Sequence, residues 1–145
     1  MTKRKLKVLF LCTDNAHRSQ MAEGWARYLK SDVLEPYSAG IEPGGVDPLT
    51  VKAMAEVGVD ISRQSSKHVY DLHVIYDYIF WVSSSAVESC PLFPGSASIT
   101  FLCFSNPSKD AAAFDTEEEK LNCYRSVRNQ IKKLIKTFPE ALQKH

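Results

Sequence analysis

The sequence has little of what would place it at a glance. No stretch approaches the ~18 consecutive apolar residues of a membrane span, so no membrane-embedded role is expected. Neither sign of charge dominates: 18 basic and 17 acidic residues leave a formal net charge of +1. That balance provides no electrostatic footprint for nucleic acid or an anionic bilayer. The basic cluster Lys3-Arg4-Lys5-Lys7 is short and leads straight into an apolar run, so it reads as a solvated chain end rather than a binding arm. Val8-Leu9-Phe10-Leu11 is shorter than the ~7–15-residue core of a signal peptide and no small-residue cleavage site follows, which makes the cytoplasm the expected compartment. Cysteines are few and far apart, at 12, 90, 103 and 123. Without a C-x-x-C pair or a paired Cys/His spacing, no metal site and no disulfide framework is expected. In a reducing compartment such cysteines are buried small hydrophobes or reactive thiols.

What is present is an ordinary globular composition. With 145 residues, 44% of them apolar and 24% charged, the chain is expected to form one domain over residues 1–145. That length buries roughly two thirds of the unfolded surface without staples. Leu6 to Leu11 is apolar apart from Lys7 and suits a buried parallel strand. Ala22, Trp25, Ala26 and Leu29 fall on one face of a helix over about Ser19 to Lys30. Val33 to Ser38 reads as a second strand closed by Ala39-Gly40. Asp47-Pro48 starts a helix that ends at Gly58. Ile75 to Val82 has the composition of a central strand. Ser83 to Ser89 reads as a short helix and Pro91 and Pro94 as irregular backbone. Ile99 to Phe104 is a fourth strand, broken by Asn106-Pro107. Thr116 to Glu119 is a capping box opening a long helix whose apolar face runs from Leu121 to Phe138. Alternating strands and helices predict a three-layer, doubly wound α/β sandwich around a four-stranded parallel sheet.

Such sheets bind ligands beyond the carboxyl ends of their strands, often at the first strand-to-helix turn. Here that turn is Cys12-Thr13-Asp14-Asn15-Ala16-His17-Arg18-Ser19. A Cys-x5-Arg spacing alone is a pattern that chance supplies; its position between a buried strand and a helix N-terminus gives it meaning. A loop wrapped there turns backbone N–H groups inward and adds the positive end of the helix dipole, so it suits a tetrahedral oxyanion. Thr13, Asp14, Asn15, Ala16, His17 and Arg18 are therefore the expected oxyanion-binding residues. The same field favours thiolate over thiol, which makes Cys12 the expected activated nucleophile. Arg18 supplies a planar fork for two oxygens. Ser19 can donate to the thiolate, and Asn15 can bind loop backbone and hold its shape.

This loop and the following Gln20-Met21-Ala22-Glu23-Gly24-Trp25 resemble the arsenate reductases built on the low-molecular-weight tyrosine phosphatase fold. Ser38 to Pro43, Val46 to Leu49, Ala53-Met54, Glu56 to Ser62, Glu88, Cys90-Pro91, Phe93 to Gly95 and the last helix are similar to that family too, so the likeness runs nearly end to end. Gln20 and Cys90-Pro91 favour its arsenate reductase branch. The resemblance implies that Cys12 attacks arsenic while Arg18 and the loop amides hold the oxygens. It implies an Asp before a Pro as general acid, and a second and third cysteine that carry the oxidation to thioredoxin. No cofactor is implied beyond an external thiol reductant, either thioredoxin or a small thiol. Cys12, Arg18, Ser19 and Cys90 are the catalytic set.

The sequence departs from that pattern in four places. Seven residues before Cys90, where the second cysteine belongs, stands Ser83, whose hydroxyl cannot form a disulfide. Before Pro107 stands Asn106, an amide that cannot transfer a proton as a carboxylic acid does. Asp14 occupies a position where Gly is common; aimed inward its carboxylate repels an anion, aimed outward it is harmless. His17 stands where relatives often carry Cys, with its ring either facing the pocket or packing away from it. With no thiol at position 83, Cys90 itself or an external small thiol is left to attack the adduct. Cys103 reads as core, Cys123 as helix packing, and His68 and His73 as surface or loop residues. Two other readings stay open: a phosphotyrosine phosphatase-type phosphomonoesterase, and an oxyanion-binding module without chemistry.

Overall fold

The computed structural model describes residues 4–82, 97–102 and 104–144. The expected helix at Ser83–Ser89, the Pro91 and Pro94 segment, and the residues Ser83, Cys90 and Cys103 lie outside them. The described elements are β1 Leu6–Cys12, α1 Arg18–Lys30, β2 Leu34–Gly40, α2 Pro48–Ala55, β3 Tyr78–Trp81, β4 Ser98–Phe101, α3 Pro107–Ala111 and α4 Glu117–Ile135. Every strand pairing is parallel and the order is β2-β1-β3-β4. This is the doubly wound α/β arrangement that the alternating pattern predicts.

β1 is continuously apolar because both of its faces are covered. Val8, Phe10 and Cys12 point into a core shared with Trp25 of α1 and with Tyr124, Val127 and Ile131 of α4. Leu9 and Leu11, one residue out of phase, point into a second core with Val69, Tyr76, Ile79 and Trp81. Because β2 lies on one side of β1 and β3 on the other, the winding reverses at β1. The crevice at such a reversal opens at the carboxyl end of the strand, where residues 12–17 sit.

Element ends move by a few residues, each for a local reason. α1 begins at Arg18 because His17 caps it, its Nδ1 accepting the Arg18 N–H at 3.2 Å. β3 begins at Tyr78 rather than Ile75: Asp77 accepts from the Lys7 amide and from Arg4 and sets the entry to the strand, leaving Ile75 65% exposed. The run to Phe138 ends as helix at Ile135, and Phe138 stays buried through a turn in which its amide donates to the Ile135 carbonyl. α3 has no counterpart in the expected elements. Asn106 caps it and Pro107 is its first residue, the same signal that opens α2 at Asp47-Pro48.

Asp47 joins two helices. One carboxylate oxygen caps α2 by accepting the Leu49 N–H at 2.9 Å, and the other accepts the Tyr124 hydroxyl of α4 at 2.5 Å. Asp47→Ala should lower stability by about 2–3 kcal/mol, the sum of a lost N-cap and a lost hydrogen bond to a charged acceptor. Urea denaturation reads this directly; an unchanged midpoint would show that neither bond holds the helices together.

Candidate active site

The loop between β1 and α1 is shaped by main-chain bonds from two sides. On one side the Thr13 carbonyl accepts the amides of Ile41 and Glu42, the Asp14 carbonyl accepts that of Gly44, and the Ala16 carbonyl accepts that of Asp47. This contact is close enough to need glycine at 40: a Cβ there would lie 2.8 Å from both the Asn15 nitrogen and the Thr13 oxygen. On the other side the segment 64–67 closes in. Ser66 Oγ donates to the Asp14 carbonyl at 3.1 Å, and the Lys67 amide donates to Asn15 Oδ1 at 2.8 Å. Gln20, buried on α1, donates from Nε2 to the carbonyls of Asn15 and Ser65.

Asn15 turns the chain. Its φ of 49° lies in the left-handed region, which Asn tolerates better than other residues with a Cβ. The Lys67 amide fixes which end of its side chain is the oxygen, so the NH2 faces Ser19 and donates to Oγ at 2.7 Å. Ser19 Oγ in turn lies 2.9 Å from Cys12 Sγ, a hydrogen bond in which the hydroxyl can act as donor. The structure thus brings Asn15, Ser19 and Cys12, all singled out from the sequence, into one hydrogen-bonded chain.

Arg18 is 3% exposed, the first residue of α1. One terminal nitrogen donates to the Phe104 carbonyl at 3.1 Å, while the buried Nε has no hydrogen-bond partner among the described residues. A buried guanidinium with an unused donor, at the positive end of a helix with no acidic residue in its first turn, is suited to an anion.

Cys12 does not behave as the loop's position predicts. It is fully buried, and burial is the largest influence on its thiol, pushing the pKa up. Hydrogen bonding from Ser19 pulls it down, the Asp14 carboxylate pushes it up, and Arg18 pulls it down; the balance is upward. Burial thus opposes the thiolate that the loop's position favours, and in the anion-free loop the net push on the Cys12 pKa is upward.

Asp14 and His17 are placed as a pair. Asp14 Oδ1 lies 3.7 Å from Cys12 Sγ and accepts the Ala16 N–H at 3.3 Å, while Oδ2 lies 3.4 Å from His17 Nε2. The carboxylate therefore reaches the sulfur while staying partly open to solvent. The His17 hydrogen bond is the main reason its pKa falls to about 2. The His17 ring is buried and holds Asp14 and the helix cap together rather than pointing away. Asn106 uses its side-chain oxygen to cap α3, accepting from the amides of Ser108 and Lys109. Cys123, half-buried on α4, directs its thiol to the Glu119 carbonyl.

The sequence assigns no part in shaping the loop to several residues that the structure places around it. Besides Gly40, Gln64, Ser65, Ser66 and Lys67, they include Glu23, a buried carboxylate that accepts from Ser38 Oγ and pairs with Arg27 at 2.7 Å. Buried polar residues on the inner face of α1, at 20 and 23, are the one signal that pointed toward them.

Two predictions follow from this geometry. Gly40→Ala should push apart the Thr13 and Asn15 backbones, destabilise the protein by about 1–3 kcal/mol as overpacking does, and weaken anion binding in calorimetry. Iodoacetamide labelling of Cys12 in the anion-free protein should rise through a midpoint above that of an unperturbed cysteine thiol, and Asp14→Asn should lower it. A midpoint at or below the ordinary value would contradict the desolvated sulfur.

The chain matches the model of the family described as low molecular weight phosphotyrosine protein phosphatase over residues 7–145. It is 43% identical over 137 residues to the arsenate reductase of Halalkalibacterium halodurans, covering 94% of this chain and 96% of that one. Among solved structures it superposes on an arsenate reductase in reduced state with a TM-score of 0.73 and 29% identity, covering 94% and 98% of the two chains. It also superposes on an arsenate reductase in the phosphate binding state with a TM-score of 0.67 and 27% identity, covering 91% and 95%.

Proposed function

The chain belongs to the low-molecular-weight phosphotyrosine protein phosphatase family, on the side of its arsenate reductases, and we propose that it reduces arsenate to arsenite at Cys12. One observation carries the reading: Arg18, buried beside the sulfur with an unused donor, sits at the head of a helix whose preceding loop is held rigid from outside. An oxyanion satisfies that donor, and the loop backbone at the positive end of α1 adds to its cradle.

In this reading the raised thiol pKa has a use. The Cys12 sulfur attacks arsenic of monohydrogen arsenate, and the thiol proton leaves with the displaced oxygen as water. The product is a sulfur–arsenic bond with arsenic still pentavalent. Ser19, oriented by Asn15, stabilises the sulfur as its proton departs, and Arg18 holds the arsenate oxygens. Proton supply by the nucleophile itself suits a site whose Asn106 is committed to capping α3 and has no proton to give. A second thiol then attacks the Cys12 sulfur. The sulfur–arsenic pair of electrons passes to arsenic, which departs as arsenite, and the two sulfurs are left as a disulfide. Cys90 or an external small thiol fills that second role, and thioredoxin or a small thiol restores the resting enzyme.

Phosphate ester hydrolysis through the same loop is the poorer fit. Expelling an alkoxide or phenoxide needs a proton from a residue in the place of Asn106, whereas arsenate can lose oxygen as water using the thiol's own proton.

Incubation with arsenate and either thioredoxin with its reductase or glutathione should yield arsenite. Cys12→Ser should lower that rate by at least about 10³-fold, the scale of losing a nucleophile. Cys90→Ser should suppress the thioredoxin-coupled rate if Cys90 is the second thiol and leave both rates intact if a small thiol attacks directly. Absence of arsenite with every donor would reject the assignment.

A further inference from the structure

Asp14 is the residue of the cup that an anion site would be expected to avoid, yet the structure builds it in. Its main-chain carbonyl is held by Gly44 and Ser66, one carboxylate oxygen by the Ala16 amide, and the other by His17. The backbone is fixed by the first two contacts, and the carboxylate cannot swing away from the sulfur without giving up the bonds to Ala16 and His17. The side chain is 37% exposed, so the carboxylate stands at the mouth of the cup rather than sealed beneath it. At 3.7 Å from Cys12 Sγ, its Oδ1 is within reach of the oxygens of any group that touches the sulfur. Arg18 provides the compensating positive charge within the same loop.

An ionised carboxylate is an acceptor only, and each oxygen has more than one lone-pair direction. On the side facing the sulfur, Oδ1 accepts only the weak thiol donor of Cys12 at 3.7 Å, a place that a ligand engaging the sulfur takes over. What it meets there decides the sign of the interaction. A bare anionic oxygen is repelled. A protonated oxygen donates a charge-assisted hydrogen bond, among the more stabilising kinds.

We propose that Asp14 is a selectivity residue whose carboxylate accepts a hydrogen bond from a protonated oxygen of the bound oxyanion. The cup then takes arsenate or phosphate, which keep a proton near neutral pH, and rejects sulfate, which has the same tetrahedral shape but no proton to donate. This rests on the reading of residues 12–18 as an oxyanion site. It adds to that reading a criterion that shape and total charge do not supply: the ligand must bring a hydrogen. Sites built to pair with a ligand's O–H discriminate strongly against the analogue without it, because a buried polar group is otherwise left facing the wrong partner.

Calorimetry at pH 7, in a buffer free of other oxyanions, tests this with arsenate, phosphate and sulfate as separate titrants. The wild-type protein should bind sulfate at least about 100-fold more weakly than arsenate, in the range expected of hydrogen-bond discrimination. Asp14→Asn and Asp14→Gly should each bring the two affinities to within about tenfold, the first retaining side-chain shape and the second removing it altogether. Wild-type binding of sulfate within threefold of arsenate would overturn the proposal, as would an arsenate-to-sulfate ratio unchanged in both variants. If the wild type and both variants bind none of the three anions, the oxyanion reading of the loop itself fails and the selectivity role falls with it.

Discussion

The site depends on one side chain, Asn15. Its amide joins two stretches of chain 52 residues apart, accepting from the Lys67 backbone while donating to Ser19. Its own backbone takes the left-handed turn that carries the loop from strand to helix. The carbonyl of the same residue is tied to α1 through Gln20. Asn15 also holds Ser19 Oγ in place, 2.9 Å from the sulfur. The direction of the loop, the orientation of the serine and the environment of the thiol therefore have a common origin. A substitution that kept the loop's charge but lost this amide would leave each of them undetermined.

Around that fixed geometry the electrostatics are opposed rather than uniformly positive. A guanidinium and a helix N-terminus draw negative charge in, while a carboxylate faces the same sulfur. Burial adds a third influence and, in the free protein, the largest on Cys12. Burial and the Asp14 carboxylate thus oppose the thiolate form while Ser19 and Arg18 favour it.

The parts of this arrangement that were legible in the sequence are those written in local periodicity. β1 and α1 announce themselves through an unbroken apolar run and an i, i+3, i+4 repeat, and together they locate Cys12 and Arg18 at the turn between them. The parts that were not legible depend on distant contact. Residues 62–74 carry no periodicity, so nothing marked 64–67 as the second wall of the loop. Gly40 reads as the end of a strand until the backbone of Asn15 is seen against it. The inward direction of Asp14 and His17 follows from their bonds to each other and to Ala16, which spacing alone leaves open. Nor does position announce how deeply Cys12 lies: the helix end is where expected, but the sulfur has no exposed surface, and its burial pushes the thiol pKa up against its donors.

Most of the bonds that hold residues 13–16 end on main-chain atoms: the carbonyls of Thr13, Asp14, Asn15 and Ala16 each have a partner outside the loop. A scaffold fastened by its peptide groups is indifferent to most of the side chains it displays. Positions 14 and 17 can therefore be exchanged in evolution or by design without redrawing the curve of the backbone. On such a frame, ligand preference and reaction type become matters of decoration, and neighbouring lineages can diverge in chemistry while their skeletons remain superimposable.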